Sequence, residues 1–274
     1  MRAPSSMKHL LALRHEGPPL VRRAAGVLGV GFAVLLWWLL TLGATPESRV
    51  ISPVLVPSPG EVMRGLPSLF TERALVASIA ATLKRVFGGF LLAIVVGVPL
   101  GIAAGAYRVL DALTRPMSVF ARNVPVAVLI PLTILWFGID ETQKMMFIFI
   151  ATVPFVFFDT VRAIGAVHDR YVETAQTLGA SPGQIVSKVL IALAMPDIFG
   201  GLRSLFGLAF GYIMLAELVN AEHGLGYLLM TSQRRGLTEH IFAILILIGL
   251  LAYGIDRLLF WFQKGLFPYR PASE

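Results

Sequence analysis

Few residue types in this chain of 274 residues could do chemistry. Cysteine is absent, which removes disulfides, thiolate metal sites and cysteine nucleophiles together. The histidines, His9, His15, His168, His223 and His240, are scattered without metal-ligand spacing, and no two sit four apart on one helix. They fall in loops or at element ends, so no Ser–His–acid set can be assembled for catalysis. No G-x-x-x-x-G-K-[ST] phosphate loop occurs, because the glycine-rich stretches lack the lysine that would hold phosphates. What remains is charge in apolar surroundings. Asp159, Arg203 and Glu217 lie in or at the ends of apolar runs, where an ionisable group is a functional suspect by default. Arg122 and Asn123, at the mouth of another run, suit an anionic substrate. A second reading stays open, in which the three intramembrane charges sit near an interface or pair with one another.

The elements that must position these groups follow from composition. Hydrophobic residues make up 56% of the chain, charged residues 14%, and mean hydropathy is +0.77. Soluble domains carry roughly 25% charged residues, so this chain could not cover a water-exposed surface. Uncharged runs extend over Val27–Leu42, Val86–Tyr107, Asn123–Ile139, Met145–Phe158, Ser204–Ala216 and Ile241–Ile255. A helical span takes about 20 apolar residues, so most runs need flanking residues or burial in a bundle. The alternating segments of a membrane barrel are missing. The expectation is an all-α polytopic membrane protein with six transmembrane helices.

Lys and Arg set the orientation. Arg2, Lys8, Arg14, Arg22 and Arg23 precede the first run, which puts the N-terminus in the cytoplasm, and most of the 23 Lys and Arg then fall inside. The C-terminus also lies inside. The net charge of +7 orients loops rather than binding nucleic acid. The segments are a basic leader (1–23), a first span (24–44), an outer loop with an interfacial helix (45–75), a transmembrane domain (76–267) that contains the inner loop 168–196, and a cytoplasmic tail (268–274). A cleaved signal peptide ending near Leu42-Gly43-Ala44 competes with an uncleaved anchor for the first span.

Glycines at 97, 101 and 105, and again Gly207 and Gly211, are spaced four apart, which lets helices approach closely. Pro99, Pro125, Pro131 and Pro154 imply kinks.

Two non-spanning segments carry local signals. In the outer loop Ser58 suits a helix N-cap, Pro59 its first position and Glu61 a capping box. The following helix would place Val62, Leu66, Leu69 and Phe70 roughly on one side and lie along the interface. In the inner stretch 168–196, Asp169 suits an N-cap, Tyr171 to Leu178 a short helix, and Gly179 its stop. Ser181-Pro182 starts another helix back into the membrane. A short helix exposing Tyr171, Ala175 and Leu178 suits a groove on another protein; an idle hairpin is the alternative.

At this point the sequence resembles a family. Glu173-Thr174-Ala175-Gln176-Thr177-Leu178-Gly179 is similar to the EAA loop of the membrane subunits of bacterial ABC importers: Glu-Ala-Ala, three residues, then Gly. Thr174 replaces the first Ala, and Ala192 stands where a proline is usual. Ala180-Ser181 and Pro196 fit the nitrate, sulfonate and taurine branch. Pro57-Ser58-Pro59, Asn123-Val124-Pro125 with Leu135-Trp136-Phe137-Gly138, and Ala216-Glu217 with Gly224-Leu225-Gly226-Tyr227 look like that branch in the same order.

The resemblance implies a six-span permease of the type I importer kind, pairing with a second copy of itself and standing in membrane lipid. It implies two ATP-binding subunits that carry the ATP and Mg, and a periplasmic or lipid-anchored binding protein. Tyr171, Glu173, Ala175, Leu178 and Gly179 would couple to the ATPase; Arg122, Asn123, Asp159 and Glu217 are the pathway candidates. The cargo would be a small anion of nitrate, sulfonate or taurine type. Bicarbonate or a thiamine or riboflavin precursor is the alternative within transport, and an intramembrane hydrolase or a scaffold the alternative outside it.

Overall fold

The computed structural model describes residues 19–43, 48–219 and 221–269. The expectations for most of the basic leader, for Ala44 and for the end of the tail lie outside them. Most of the described residues are helical, with no strand among them. Eleven α-helices follow in order: α1 (Pro19–Leu40), α2 (Pro59–Thr71), α3 (Leu75–Ala106), α4 (Arg108–Asn123), α5 (Leu129–Phe137), α6 (Glu141–Gly165), α7 (Asp169–Thr177), α8 (Pro182–Gln184), α9 (Ile191–Glu217), α10 (Leu225–Arg234) and α11 (Thr238–Leu266). A π-helical stretch, Ile185–Leu190, joins α8 to α9, so that Pro182–Glu217 runs as one helix.

Among the described residues five helices are long and apolar enough to cross a membrane: α1, α3, α6, the Pro182–Glu217 helix and α11. A sixth crossing is made if α4 and the segment ending in α5 count together, but these meet at 87°. The bend therefore falls at the very start of the third span expected over Asn123–Ile139: α4 ends where that run begins, and the short turn at 126–128 with α5 lies within it. The cause is local: Pro125 has no N–H and pushes Val124 out of the helical region, leaving both residues extended (ψ 124° and 120°). Pro99, Pro154 and Pro196 lie inside α3, α6 and α9, which continue through them. Neighbouring helices can re-satisfy the backbone groups a proline frees. The fourth and fifth expected spans overrun their uncharged runs: α6 takes in Lys144, Asp159 and Arg162, and α9 takes in Arg203 and Glu217.

The chain divides into two compact units, residues 1–66 with 236–243, and residues 67–235 with 244–274. In the first unit the capping box is present: the Ser58 amide donates to Glu61 Oε2 at 2.7 Å, and the Glu61 amide donates to Ser58 Oγ at 3.3 Å. Arg49 grips the same carboxylate through both Nη atoms, at 3.1 and 2.8 Å. These donors hold the Glu61 carboxyl well below its usual range, at about 2. Val62 is buried, Leu66 half-buried and, beyond this unit, Leu69 on α2 buried, while Phe70 is exposed. Phe70 thus departs from the apolar side expected of α2, because eight residues of helix carry it about 80° from Val62. Trp37 Nε1 donates to Pro57 O at 2.9 Å, and its ring stacks on Phe242.

In the second unit α6 packs between α3 and α9, and Phe90, Phe147, Val156, Phe206 and Phe210 are buried there. Lipid offers helices no hydrophobic drive to associate, so close van der Waals fit must hold them. The first glycine stripe provides it. A Cβ at Gly97 would stand 2.9 Å from Val156 Cγ1, at Gly101 2.6 Å from Thr160 Cβ, and at Gly105 2.8 Å from Ile164 Cβ. The second stripe does not pack inside the chain: Gly207 and Gly211 are exposed, with nothing within 4 Å of a Cβ placed there.

Candidate functional site

The short α7 is bounded by two local devices. His168, rather than Asp169, is its N-cap: its backbone is extended and its Nδ1 accepts the Arg170 amide at 3.3 Å. Asp169 is already helical and puts its charge in the first turn, where the helix dipole favours an anion. At the other end Gly179 takes a left-handed φ of 80°. The Ala180 amide donates to Ala175 O and the Gly179 amide to Gln176 O, both at 2.9 Å, a Schellman closure. Ser181 then starts the next helix with a capping box to Gln184.

This geometry fixes which α7 side chains face out. Leu178 is 82% exposed and Tyr171 41%, and Glu173 is exposed. Arg170 stacks on Tyr171 and donates to its hydroxyl at 3.0 Å. Ala175 departs from expectation. It is half-buried and packs, with Val172, against a cluster of Ala163, Ile164, Ile185, Leu190, Ala194 and Ile198. Residues three apart share a helix face, so Val172 and Ala175 anchor α7 to the bundle while Tyr171, Glu173 and Leu178 point away.

The four pathway candidates do not converge. Glu217, at the end of α9, is fully buried and accepts from Arg85 Nη1 at 2.7 Å, from Thr82 Oγ1 at 2.8 Å and from the Gly226 amide at 2.9 Å. Arg85 also donates to His223 O at 2.7 Å and grips Glu141 through Nε, at 2.6 Å, and Nη2. The cluster ties α3, α6, α9 and α10 together through a satisfied ion pair. Arg85 was not visible as a site residue, since beside Lys84 it reads as an ordinary flanking cation; the available signal was its position one turn after Thr82 on a helix running into the apolar core.

Asp159 pairs within its own helix with Arg162 at 3.1 Å, and Arg203 pairs with Asp256 at 2.6 Å. The three intramembrane charges therefore do not pair with one another. Asn123 Nδ2 donates to Val119 O at 2.7 Å, closing the end of its own helix. Arg122 behaves differently. Its guanidinium lies 3.6 Å above the Phe158 ring, its Nε is buried without an acceptor, and it lines a cavity of about 910 Å³. Asp169, Val172 and Gln176 of α7 line the same cavity. Among the described residues no cluster of three or more His, Asp or Glu could hold a metal.

Comparison with known proteins gives the family and the fold. Residues 97–268 match the model of the binding-protein-dependent transport system inner membrane component. The chain is 33% identical to a probable ABC transporter permease protein of Brucella melitensis, over 81% of this chain and 87% of that one. It is 30% identical to the taurine transport system permease protein TauC of Escherichia coli, over 92% of each, and 28% identical to a bicarbonate transport system permease protein of Synechococcus elongatus, over 88% and 87%. Among solved structures, an inward-facing form of the MetNI methionine ABC transporter shares the fold, with a TM-score of 0.63 at 22% identity, covering 73% of this chain and 97% of that one. An all-α, multi-pass membrane chain with a short capped helix between two spans, it belongs to the family of binding-protein-dependent transport system inner membrane components and is an ABC importer permease.

Proposed function

We propose that this permease works as one of two identical copies, joined to two separate ATP-binding subunits and fed by a substrate-binding protein, and that it moves a small anion inward by alternating access. The observation that carries the reading is α7. It is anchored by Val172 and Ala175, closed rigidly by Gly179 and presents Tyr171, Glu173 and Leu178 outward, which suits docking into a groove. Closure of the ATPases on ATP would carry the docked helix, and with it the spans, as a rigid body. The outward strip at Gly207 and Gly211 suits close approach of a second copy. ATP and Mg belong to the partner subunit in this reading.

A taurine or sulfonate type of cargo is supported by the relative named for taurine transport. Bicarbonate is the second reading, supported by the relative named for it. Each is a small oxyanion or carries one.

The test is co-purification with an ATP-binding subunit and a substrate-binding protein from the same cells, followed by reconstitution. Uptake and ATP turnover should require all three, and ATP turnover by the homogeneous chain alone would overturn the assignment. In this reading both termini lie in the cytoplasm, so in this cysteine-free chain Thr174→Cys should resist an impermeant thiol reagent in intact cells, while Thr71→Cys should react.

A further inference from the structure

α4 is an inside-out helix. Its outward face is apolar, with Val109 80%, Leu113 69%, Met117 72% and Phe120 75% exposed. Its other face turns Arg108, Asp111, Arg115 and Arg122 toward the 910 Å³ cavity, which Arg162 of α6 and Asp169 of α7 also line. Four guanidinium groups thus meet two carboxylates in one concave space. Arg115 satisfies Asp111 at 2.5 Å, and Arg162 is held by Asp159 at 3.1 Å. Arg122 has no such partner: among the described residues no carboxylate makes an ion pair with it, and its buried Nε lacks an acceptor.

We infer that this cavity binds an oxyanion, the sulfonate, phosphate or carboxylate head of its ligand, with Arg122 as the principal donor. A planar guanidinium offers such a head two parallel N–H bonds, and stacking on Phe158 sets the plane before the ligand arrives. Arginines that only orient a loop need not face inward; they serve as well pointing into cytoplasmic water. Here the helix turns its polar face to the cavity and leaves its apolar face outside. Because α7 residues line the same space, a bound anion would touch the segment proposed to couple to the ATPase.

Two sources could supply the head: a free organic anion on its way inward, or an anionic lipid. The first rests on the proposed function; the site itself does not. The full chain is placed in phosphatidylcholine nanodiscs and titrated calorimetrically with ethanesulfonate. Saturable binding is expected, weakened about tenfold or more by Arg122→Gln and unchanged by Arg64→Ala on α2. In parallel, chain taken from phosphatidylglycerol-containing bilayers is weighed by native mass spectrometry. Lipid retained by the wild type and lost in Arg122→Gln, with ethanesulfonate silent, identifies the lipid head as the occupant. Should Arg122→Gln prove unstable, phenylglyoxal labelling of wild-type Arg122 serves instead, and protection by either ligand is expected. Binding of neither ligand, equal binding to wild type and variant, or labelling of Arg122 unaffected by both ligands would overturn the site. None of these measurements uses the ATPase, so failure here leaves coupled transport standing, and loss of coupling leaves the site standing.

Discussion

Arg85 Nη1 and Glu217 Oε1 lie 2.7 Å apart although 132 residues separate them in sequence, and neither side chain is more than 2% exposed. Removing Arg85 leaves the Glu217 carboxylate buried without its counter-charge, which costs about 3–5 kcal/mol, whereas Arg85 keeps Glu141 when Glu217 is removed. Arg85→Met should therefore lower the thermal midpoint of the solubilised chain strongly. Glu217→Gln should be milder, because an amide oxygen still accepts from Thr82 and Gly226. The double variant Arg85→Met with Glu217→Met should recover part of the loss, which a double-mutant cycle on thermal midpoints would read. Additive losses would mean that the pair is not coupled.

The two glycine stripes should respond differently to the same change. Gly101→Ala forces a Cβ to 2.6 Å from Thr160, an overpacking worth about 1–3 kcal/mol. Gly207→Ala meets nothing within 4 Å in the chain and should leave monomer stability unchanged, while weakening the proposed two-copy assembly. Size-exclusion profiles after graded heating separate the two effects.

At Gly179 there is open space around a Cβ, so any penalty comes from the backbone. A β-branched residue in the left-handed region costs about 1–2 kcal/mol, and Asn tolerates that region better. Gly179→Val should abolish uptake at normal membrane levels, Gly179→Asn should retain most of it, and Glu173→Lys should abolish it through charge. Radiolabelled uptake in cells, normalised to immunoblot, measures all three.

The outer capping box predicts a pH dependence. Glu61 has a folded pKa of about 2, lowered by Arg49 and by the Ser58 amide, against 4.5 for an unperturbed carboxyl. A lowered pKa contributes stability that is complete above the unfolded value and is lost as pH falls through the folded one. Amide protection at 58–64, corrected for intrinsic exchange, should hold from neutral pH down to about 4.5 and decline from there toward 2. Glu61→Gln should flatten that decline.

What could be read from the sequence is what depends on neighbours within a turn or two. Ser58 with Glu61, Ser181-Pro182, the stop at Gly179 and the apolar runs are local patterns, and a helix cap is complete within four residues of chain. Even there, His168 displaced Asp169 as the cap, because either side chain can receive the same amides and the backbone angle decides. The rest belongs to tertiary structure. Asp256 as partner for Arg203, Arg85 as partner for Glu217 and the inward turn of α4 that gathers Arg122 with Asp169 all depend on how helices are rotated against one another. An apolar run does not encode that rotation, because its faces are equally acceptable to lipid; only the close fit of Gly97, Gly101 and Gly105 against α6, and the need of each buried charge for a partner, select one arrangement.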